Sequence, residues 1–208
     1  MLETAIVAFT TFFATIGPVS VAMIFAAMTH GSKPAVKRAM AIRGSLIAAI
    51  ILSGFALAGE TLLSALGISL AALKVSAGIL LLLIAIDMVF ARESGVSSTT
   101  EEENLEAEQK EDISVFPLAT PLIAGPGSMG AAILLMANTE RNFSAQITVI
   151  GALLAVLLIT LVLLLLANKV QRLLGVTGMQ VISRVFGVLL SALAVQFMFD
   201  GLAGSGLW

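Results

Sequence analysis

The sequence predicts an all-α membrane protein with six transmembrane helices. Two observations lead to this prediction. First, 59% of the 208 residues are hydrophobic and only 12% are charged, whereas soluble domains carry about 25% charged residues. Second, the apolar residues form runs long enough for helices that cross a bilayer, which need roughly 20 residues each. The mean hydropathy of +1.07 agrees with both observations.

The hydrophobic runs divide the chain into two similar units. The predicted spans cover residues 4–29, 40–62, 67–91, 113–137, 144–168 and 178–201. The first span lacks a preceding basic region and exceeds the usual length of a signal-peptide core, so we interpret it as a retained helix. Between the third and fourth spans lies a stretch rich in Ser, Thr and Glu, which predicts a linker. The predicted organisation is a three-helix unit at 1–92, an acidic linker at 93–112 and a second three-helix unit at 113–208.

The distribution of lysine and arginine predicts the orientation of the chain. With six spans, the loops after the first, third and fifth helices share one side of the membrane. They hold most of the basic residues, namely Lys33, Lys37, Arg38, Arg43, Arg92, Lys110, Lys169 and Arg172. The other side has Arg141 alone. Since basic loops stay in the cytoplasm, both termini are expected on the extracytoplasmic side.

Short motifs recur at the same spacing in the two units. Gly17-Pro18 recurs as Gly125-Pro126, and Leu-Gly-Ile at 66–68 recurs as Leu-Gly-Val at 174–176, with an identical offset in both cases. A unit of three spans is odd-numbered, so its second copy must be inverted in the membrane. Inverted repeats are typical of secondary transporters, whose substrate site lies where the repeats meet.

The two Gly-Pro pairs predict a binding site near the middle of the membrane. Each pair interrupts a span at its centre, because proline lacks an N–H and glycine loosens the backbone. Interrupted helices are tolerated in hydrocarbon when buried or facing a wet cavity, and a half-helix N-terminus favours a carboxylate. A simple proline kink, with serine as a helix cap, is the alternative. The predicted substrate-binding residues are Thr15, Gly17, Pro18, Ser20, Thr120, Gly125, Pro126, Gly127 and Ser128.

Charged residues inside the spans are candidates for a charge or coupling role. Lys74 and Arg184 occupy related positions about two turns inside their spans, and Asp87 lies near the end of its span. Ionisable residues in spans are costly and often functional. Snorkelling of the two cations and an interfacial position for Asp87 are the alternatives. Coupling to Na⁺ or H⁺ stays open at this point.

Other features of the composition concern packing and cofactors. The glycines inside the spans at Gly44, Gly54, Gly78 and Gly187 predict close helix packing. The chain has no cysteine and a single histidine, His30, so no metal site or cofactor is predicted. No phosphate-binding G-x-x-x-x-G-K motif is present, which excludes ATP-driven pumping by this chain. The expected partners are the lipid bilayer and a small solute, with a homo-oligomer possible and no nucleic acid.

Three stretches resemble the MarC family of bacterial inner-membrane proteins. EDISVFPLATPLIAGPGSM resembles its signature, while GISLAALKVSAGILLLLIAIDM and VISRVFGVLLSALAVQFMFDG resemble its third and sixth helices. The resemblance covers the chain apart from the acidic linker. It implies a six-helix inverted-repeat fold related to the LysE-type exporters, and a location in the bacterial inner membrane with periplasmic termini. It also implies transport of small neutral amino acids such as glycine and alanine, as in the members called SnatA.

The chain departs from the family pattern at two places. Many members have Asp or Asn before the first proline, where this chain has Gly17. The family often has Arg followed by a Gly pair in the third span, where this chain has Lys74 followed by Ala77 and Gly78. These differences bear on which substrate or cation is bound.

The functional hypothesis is a secondary transporter of small neutral amino acids that works by alternating access. The likeness to LysE favours export, and the likeness to SnatA favours uptake driven by Na⁺ or H⁺. The alternatives are an exporter or channel for another small solute, since interrupted helices also line pores. A membrane-embedded enzyme is a further alternative, but the sequence offers no convergent acid, base or metal-binding residues for one.

Overall fold

The computed structural model describes residues 2–29, 32–90, 112–139 and 142–206, and in these ranges the chain is helical without strands. His30 and the predicted linker, apart from Asp112, lie outside the described residues. The helices are α1 (Leu2–Ile16), α2 (Pro18–Met28), α3 (Pro34–Ala65), α4 (Leu70–Phe90), the wide-turned α5 (Ser114–Ile123), α6 (Pro126–Ala137), α7 (Phe143–Leu165) and α8 (Ala167–Ala203).

The prediction of an all-helical membrane protein is confirmed. Five stretches are long and apolar enough to cross a membrane, namely Leu2–Ala26, Pro34–Ala65, Leu70–Phe90, Phe143–Leu165 and Arg184–Ala203. α5 and α6 make a sixth if the bent pair counts as one span. Large apolar side chains face outward, with Ile50 64% and Leu57 70% exposed. A contiguous surface of this kind requires lipid rather than water around it.

Two predicted boundaries were wrong. The second span was predicted at 40–62, whereas α3 already begins at Pro34. A loop was predicted between residues 168 and 178, but α8 is helical from Ala167. In both cases hydropathy marks the part of a helix that lies in lipid, while polar residues extend the same helix beyond the bilayer. The lipid-length part of α8 is Arg184–Ala203.

Helices α4 and α8 pack against each other through reciprocal glycine contacts. A Cβ built at Gly78 would lie 2.7 Å from the carbonyl oxygen of Ala194, and a Cβ built at Gly187 would lie 3.1 Å from that of Ala85. Gly187 and Ala194 follow Gly78 and Ala85 at one and the same spacing in the chain. Later residues of α4 thus meet earlier residues of α8, so the two helices run antiparallel.

Helix α3 runs parallel to α5 and α6. A Cβ at Gly44 would lie 2.5 Å from Leu118 Cδ2, and a Cβ at Gly59 would lie 2.5 Å from Ile133 Cγ1. Small residues again allow the close approach. The packing role predicted for Gly44, Gly78 and Gly187 is therefore confirmed. The same prediction for Gly54 was wrong, because nothing lies within 4 Å of a Cβ built there and this residue is exposed.

The buried apolar residues form two clusters. The larger cluster joins α1, α2, α3, α5, α6 and α7, together with Ala167 at the start of α8. The smaller cluster joins α4 and α8, and it includes Ala14 from α1 and Leu134 from α6. The packing therefore pairs the third helix of each predicted unit, and Ala14 and Leu134 join this pair to α1 and α6.

The starts of α3 and α5 and the α7–α8 junction lie at one end of the bundle. Arg43 of α3 forms an ion pair with Asp112 at 3.0 Å, just before α5. Pro34 and Lys37 line a cavity together with Leu165 at the end of α7. The described residues that follow the first and fifth predicted spans, together with Asp112 just before α5, thus lie on a common side of the bundle.

Glycine packing between α4 and α8 predicts a large difference between two Gly→Ala variants. In Gly78→Ala the new methyl group meets a backbone carbonyl that cannot move cheaply, and the expected cost is about 1–3 kcal/mol. The unfolding midpoint in detergent should fall by several degrees. Gly54→Ala should leave the midpoint unchanged or raise it slightly, since alanine favours helix. Equal effects of the two substitutions would contradict the described α4–α8 contact.

The Arg43–Asp112 pair predicts a pH-dependent contribution to stability. Ser114 donates its backbone N–H to Asp112 Oδ1 at 2.9 Å, and contacts with Ser114 and Arg43 lower the pKa of Asp112 below its ordinary 3.8. A lowered carboxyl pKa stabilises the fold at neutral pH, and this contribution is lost as pH falls through the folded-state pKa.

Asp112→Asn keeps the acceptor for Ser114 and removes only the charge. We expect a loss below about 1 kcal/mol at pH 7, because the pair is exposed. The difference in unfolding midpoint between the two proteins should shrink below about pH 4. A difference that stays constant from pH 7 to pH 3 would show that the charge is not responsible.

Candidate functional site

The first Gly-Pro pair separates α1 from α2. Gly17 has a φ of +60°, a left-handed conformation that is costly for most residues with a Cβ. The Gly17 N–H still donates to Phe13 O at 3.0 Å, and Gly17 O accepts from Val21 N at 3.0 Å. By length and hydropathy, the two segments together form one candidate membrane span, Leu2–Ala26. The interruption is therefore local, and the chain continues in nearly the same direction.

The second Gly-Pro pair lies at a sharper bend. α5 and α6 meet at 56°, and α5 contains extended residues at Phe116 and Thr120. A Cβ at Gly125 would lie 2.6 Å from the carbonyl oxygen of Pro121. Only glycine permits this close approach of two backbone segments.

The two interruptions line one small cavity between α1, α2, α4, α5 and α6. Its volume is about 70 Å³. Six of the residues predicted from sequence lie in its wall, namely Thr15, Gly17, Ser20, Gly125, Gly127 and Ser128. These residues come from two distant parts of the chain, and the fold brings them together.

Unpaired backbone groups surround this cavity. Proline supplies no N–H at the start of α2 or α6, and the next N–H groups lack a carbonyl one turn earlier. Among the described residues, the N–H groups of Ser20, Gly127 and Ser128 have no hydrogen-bond partner. The carbonyls of Thr15 and Ile16, at the end of α1, receive none within the described ranges. All five residues line the cavity.

The three hydroxyl groups in the wall differ in their availability. Thr15 Oγ1 donates to Thr11 O at 2.8 Å. Ser128 Oγ contacts Ile123 O at 2.9 Å and Gly125 O at 3.0 Å, so its single proton is used by the backbone. Ser20 Oγ has no partner in the part of the chain that the structure describes, and Ser20 is half-buried. Ser20 is thus the wall residue whose hydroxyl is free to donate to a ligand.

Other predicted residues do not line the cavity. Pro18 is buried, and Pro126 is exposed at the start of α6. Thr120 donates its hydroxyl to Val115 O at 3.3 Å.

The charged candidates also lie outside the wall. Lys74 is near Gly201 of α8, where a Cβ at Gly201 would lie 2.9 Å from Lys74 Cβ, and Arg184 is exposed. Asp87 is half-buried on α4.

Sequence reasoning missed the contribution of α4 to the cavity wall. Ile84 and Met88 close the cavity on this side, and a Cβ at Gly127 would lie 2.5 Å from Ile84 Cδ1. Both residues sit in an apolar run and carry no signal that distinguishes them from lipid-facing neighbours. Their role depends on where α4 packs against α6.

The conformation of Gly17 explains how glycine replaces the Asp or Asn expected from the family resemblance. Asn, Asp and Gly are the residue types that most readily adopt a positive φ. In this chain, Gly17 meets the need for a left-handed backbone before the proline. A carboxylate or amide there is not needed to form the interruption.

The apolar helical bundle defines a polytopic membrane protein with a small internal cavity. Residues 2–205 match the family model described as MarC family integral membrane protein. The chain belongs to this family. No solved structure shows a significant match.

Several relatives match along nearly their whole length. The chain is 38% identical over 205 residues to a UPF0056 membrane protein of Methanocaldococcus jannaschii, covering 98% of each chain. It is 33% identical to the UPF0056 membrane protein YvbG of Bacillus subtilis, covering 94% of this chain and 92% of the relative. It is 32% identical to the UPF0056 membrane protein YhcE of Escherichia coli, covering 92% and 88%. The likeness therefore extends over both predicted three-helix units.

The positive φ at Gly17 predicts an ordered effect of substitutions. A Cβ at Gly17 would meet only Ser20, whose Cβ lies at 3.8 Å, so steric conflict with neighbours is not the cost. Gly17→Ala should destabilise by roughly 1–2 kcal/mol through backbone strain, and Gly17→Asn by clearly less. Thermal unfolding in detergent tests this order. An equal loss for both variants would mean that strain at φ is not the constraint.

Proposed function

We propose that the protein is a secondary transporter of small neutral amino acids, of the glycine and alanine type, which works by alternating access. The observation that carries the proposal is the single cavity lined by both Gly-Pro interruptions, with Gly17 and Ser20 on one side and Gly125, Gly127 and Ser128 on the other. In transporters, discontinuous helices of this kind hold the substrate near the middle of the bilayer.

The size of the cavity favours a very small solute. A water molecule needs at least about 10–15 Å³ of such a volume, so 70 Å³ holds roughly five waters or a solute of about as many heavy atoms. The smallest amino acids are of this size. Drug-sized ligands occupy pockets of about 300–1,000 Å³, which argues against a multidrug exporter. Ile84 and Met88 limit the space for a larger substrate side chain.

The unpaired groups suit a zwitterion. The N–H groups of Ser20, Gly127 and Ser128 lie at the positive ends of α2 and α6 and favour a carboxylate. The carbonyls of Thr15 and Ile16 at the end of α1 favour an ammonium group or a coupling cation. The Ser20 hydroxyl adds a side-chain hydrogen-bond donor that does not bond to the backbone of the described residues. The cavity therefore offers complementary charge at two ends without a buried ionised side chain.

The helix packing supports the inverted-repeat architecture in this proposal. Gly78 contacts Ala194, and Gly187 contacts Ala85. Gly187 follows Gly78 in the chain by the same number of residues as Ala194 follows Ala85. Equivalent residues of α4 and α8 therefore make equivalent contacts, as they would around a twofold axis through this helix pair. Six successive spans cross the membrane in alternating directions, so the second and fourth should be parallel and the third and sixth antiparallel. The parallel α3 and α6 and the antiparallel α4 and α8 agree with this order. In this architecture helices 1 and 4 of the six are the two interrupted spans.

The two apolar clusters suggest which parts move. The α4–α8 pair has its own core around Leu81 and Leu190, and the other helices share the larger core. The cavity lies between these bodies, since Ile84 and Met88 belong to α4 and the remaining wall does not. Rocking of the α4–α8 pair against the other helices would expose the cavity to alternate sides.

The direction and the energy source are further parts of the proposal. A common basic end of the bundle agrees with a cytoplasmic location for this end and extracytoplasmic termini, in the inner membrane of a bacterium. Uptake coupled to Na⁺ or H⁺ and export are both compatible with the cavity.

A channel is the second candidate function, because interrupted helices also line pores. Assembly into a homo-oligomer is compatible with either function.

Transport into proteoliposomes tests the proposal. Purified protein should mediate saturable uptake of labelled glycine and alanine but not of leucine, measured with and without Na⁺ and pH gradients. Ser20→Ala should raise KM about tenfold or more, since a hydrogen bond to a charged group contributes about 1.5–3 kcal/mol. Gly127→Ala should strongly reduce uptake, because its methyl group forces Ile84 Cδ1 to move at the cavity wall.

Gly130→Ala is the matched control on the same helix. Its Cβ would contact Ala77 Cβ at an ordinary 3.9 Å, and Gly130 is not part of the cavity wall. This variant should transport like wild type. If Ser20→Ala and Gly127→Ala take up glycine and alanine as well as wild type does, the substrate site lies elsewhere. If wild type shows no uptake under any gradient, small neutral amino acids are excluded as its substrates. Stimulation by unlabelled alanine inside the vesicles would distinguish a carrier from a channel.

A further inference from the structure

A second cavity lies at the basic end of the bundle. Its volume is about 470 Å³, and it is formed by the ends of α2 and α7 and the starts of α3 and α8. The described residues in its wall include Phe25, Thr29, Lys37, Arg38, Leu165 and Ala167. None of the described residues lines both this cavity and the central one.

The polar side of this cavity carries two cations. Lys37 is half-buried and Arg38 is exposed. Neither has an ion-pair or hydrogen-bond partner among the described residues, where the ion pair found is Arg43–Asp112. None of the described residues that line the cavity is acidic. The positive end of the 32-residue helix α3, which begins at Pro34, adds to the attraction for an anion.

The opposite side is apolar and reaches the lipid-facing surface. Phe25 and Leu164 form a buried floor, each 2% exposed, while Leu165 is 45% exposed on the outside of the bundle. Leu165 is also the last residue of the span Phe143–Leu165. The cavity therefore lies where hydrocarbon gives way to the polar surface of the membrane, and it borders both.

We propose that this cavity binds the headgroup of an anionic phospholipid. Lys37 and Arg38 contact the phosphate, and an acyl chain lies along Leu165 on the lipid-facing side. Basic pockets between membrane helices are suited to such headgroups, and arginine suits phosphate in particular. A free inorganic phosphate would use the same cations but would leave the apolar wall without a function. The proposal does not depend on the transported substrate.

Native mass spectrometry of the purified full-length protein tests this site. Detergent-solubilised protein is titrated with phosphatidylglycerol and, separately, with phosphatidylcholine, whose headgroup has no net charge. We expect retained adducts with phosphatidylglycerol only. Lys37→Gln combined with Arg38→Gln should weaken this binding about twenty-five-fold, because each of the two basic residues near an anionic lipid contributes roughly fivefold.

Two further variants separate a cavity from general surface charge. Lys33→Gln combined with Lys169→Gln removes the same charge from exposed residues outside the cavity wall, and should leave phosphatidylglycerol binding unchanged. Ala167→Leu keeps both cations and fills the cavity at a buried position, and should weaken binding. Circular dichroism and gel filtration verify the fold of each variant.

Three results would overturn the proposal. Equal losses of phosphatidylglycerol binding in the two double variants would mean that the total surface charge, and not this cavity, attracts the lipid. Full binding by Ala167→Leu would place the lipid outside the cavity. Displacement of phosphatidylglycerol by millimolar inorganic phosphate would assign the cations to a soluble anion instead.

Discussion

The fold depends on one constraint: hydrocarbon offers no partner for a free peptide group, so each interruption of a membrane helix must be enclosed. This chain interrupts its helices at Gly17 and again at Gly125. Both interruptions lie in the wall of one cavity. The surrounding helices partly enclose both interruptions, and unpaired N–H and carbonyl groups face the cavity between them.

Close helix contacts produce this enclosure. Glycines at Gly78 and Gly187 let α4 and α8 approach each other's backbone, and Gly127 lets α4 approach α6. The latter contact brings Ile84 to the cavity. The third helices of the two predicted units thus form a pair of their own instead of packing within their units. The central cavity therefore lies where α4 meets α1, α2, α5 and α6.

Part of the site was predictable because backbone chemistry leaves a clear signal in a sequence. Glycine followed by proline inside an apolar run disfavours a continuous helix, so the two pairs predicted where a helix would be interrupted. Ile84 and Met88 were not predictable, since an apolar residue facing a cavity has the same sequence pattern as one facing lipid. The hydroxyl groups of Ser20 and Ser128 occupy equivalent positions in the sequence. They differ in availability because Ser128 alone lies within reach of the Ile123 carbonyl.

Local composition alone predicts a membrane protein that resembles the MarC family, with apolar spans and interruptions at Gly17 and Gly125. These features can be read from the sequence because hydropathy and the stereochemistry of glycine and proline act within a few residues. Three relations are visible only in the fold: Gly17 and Gly125 share a cavity, Gly54 faces outward while Gly78 packs, and Lys37 and Leu165 border a second cavity. Such relations depend on contacts between residues distant in the chain, which local composition does not specify.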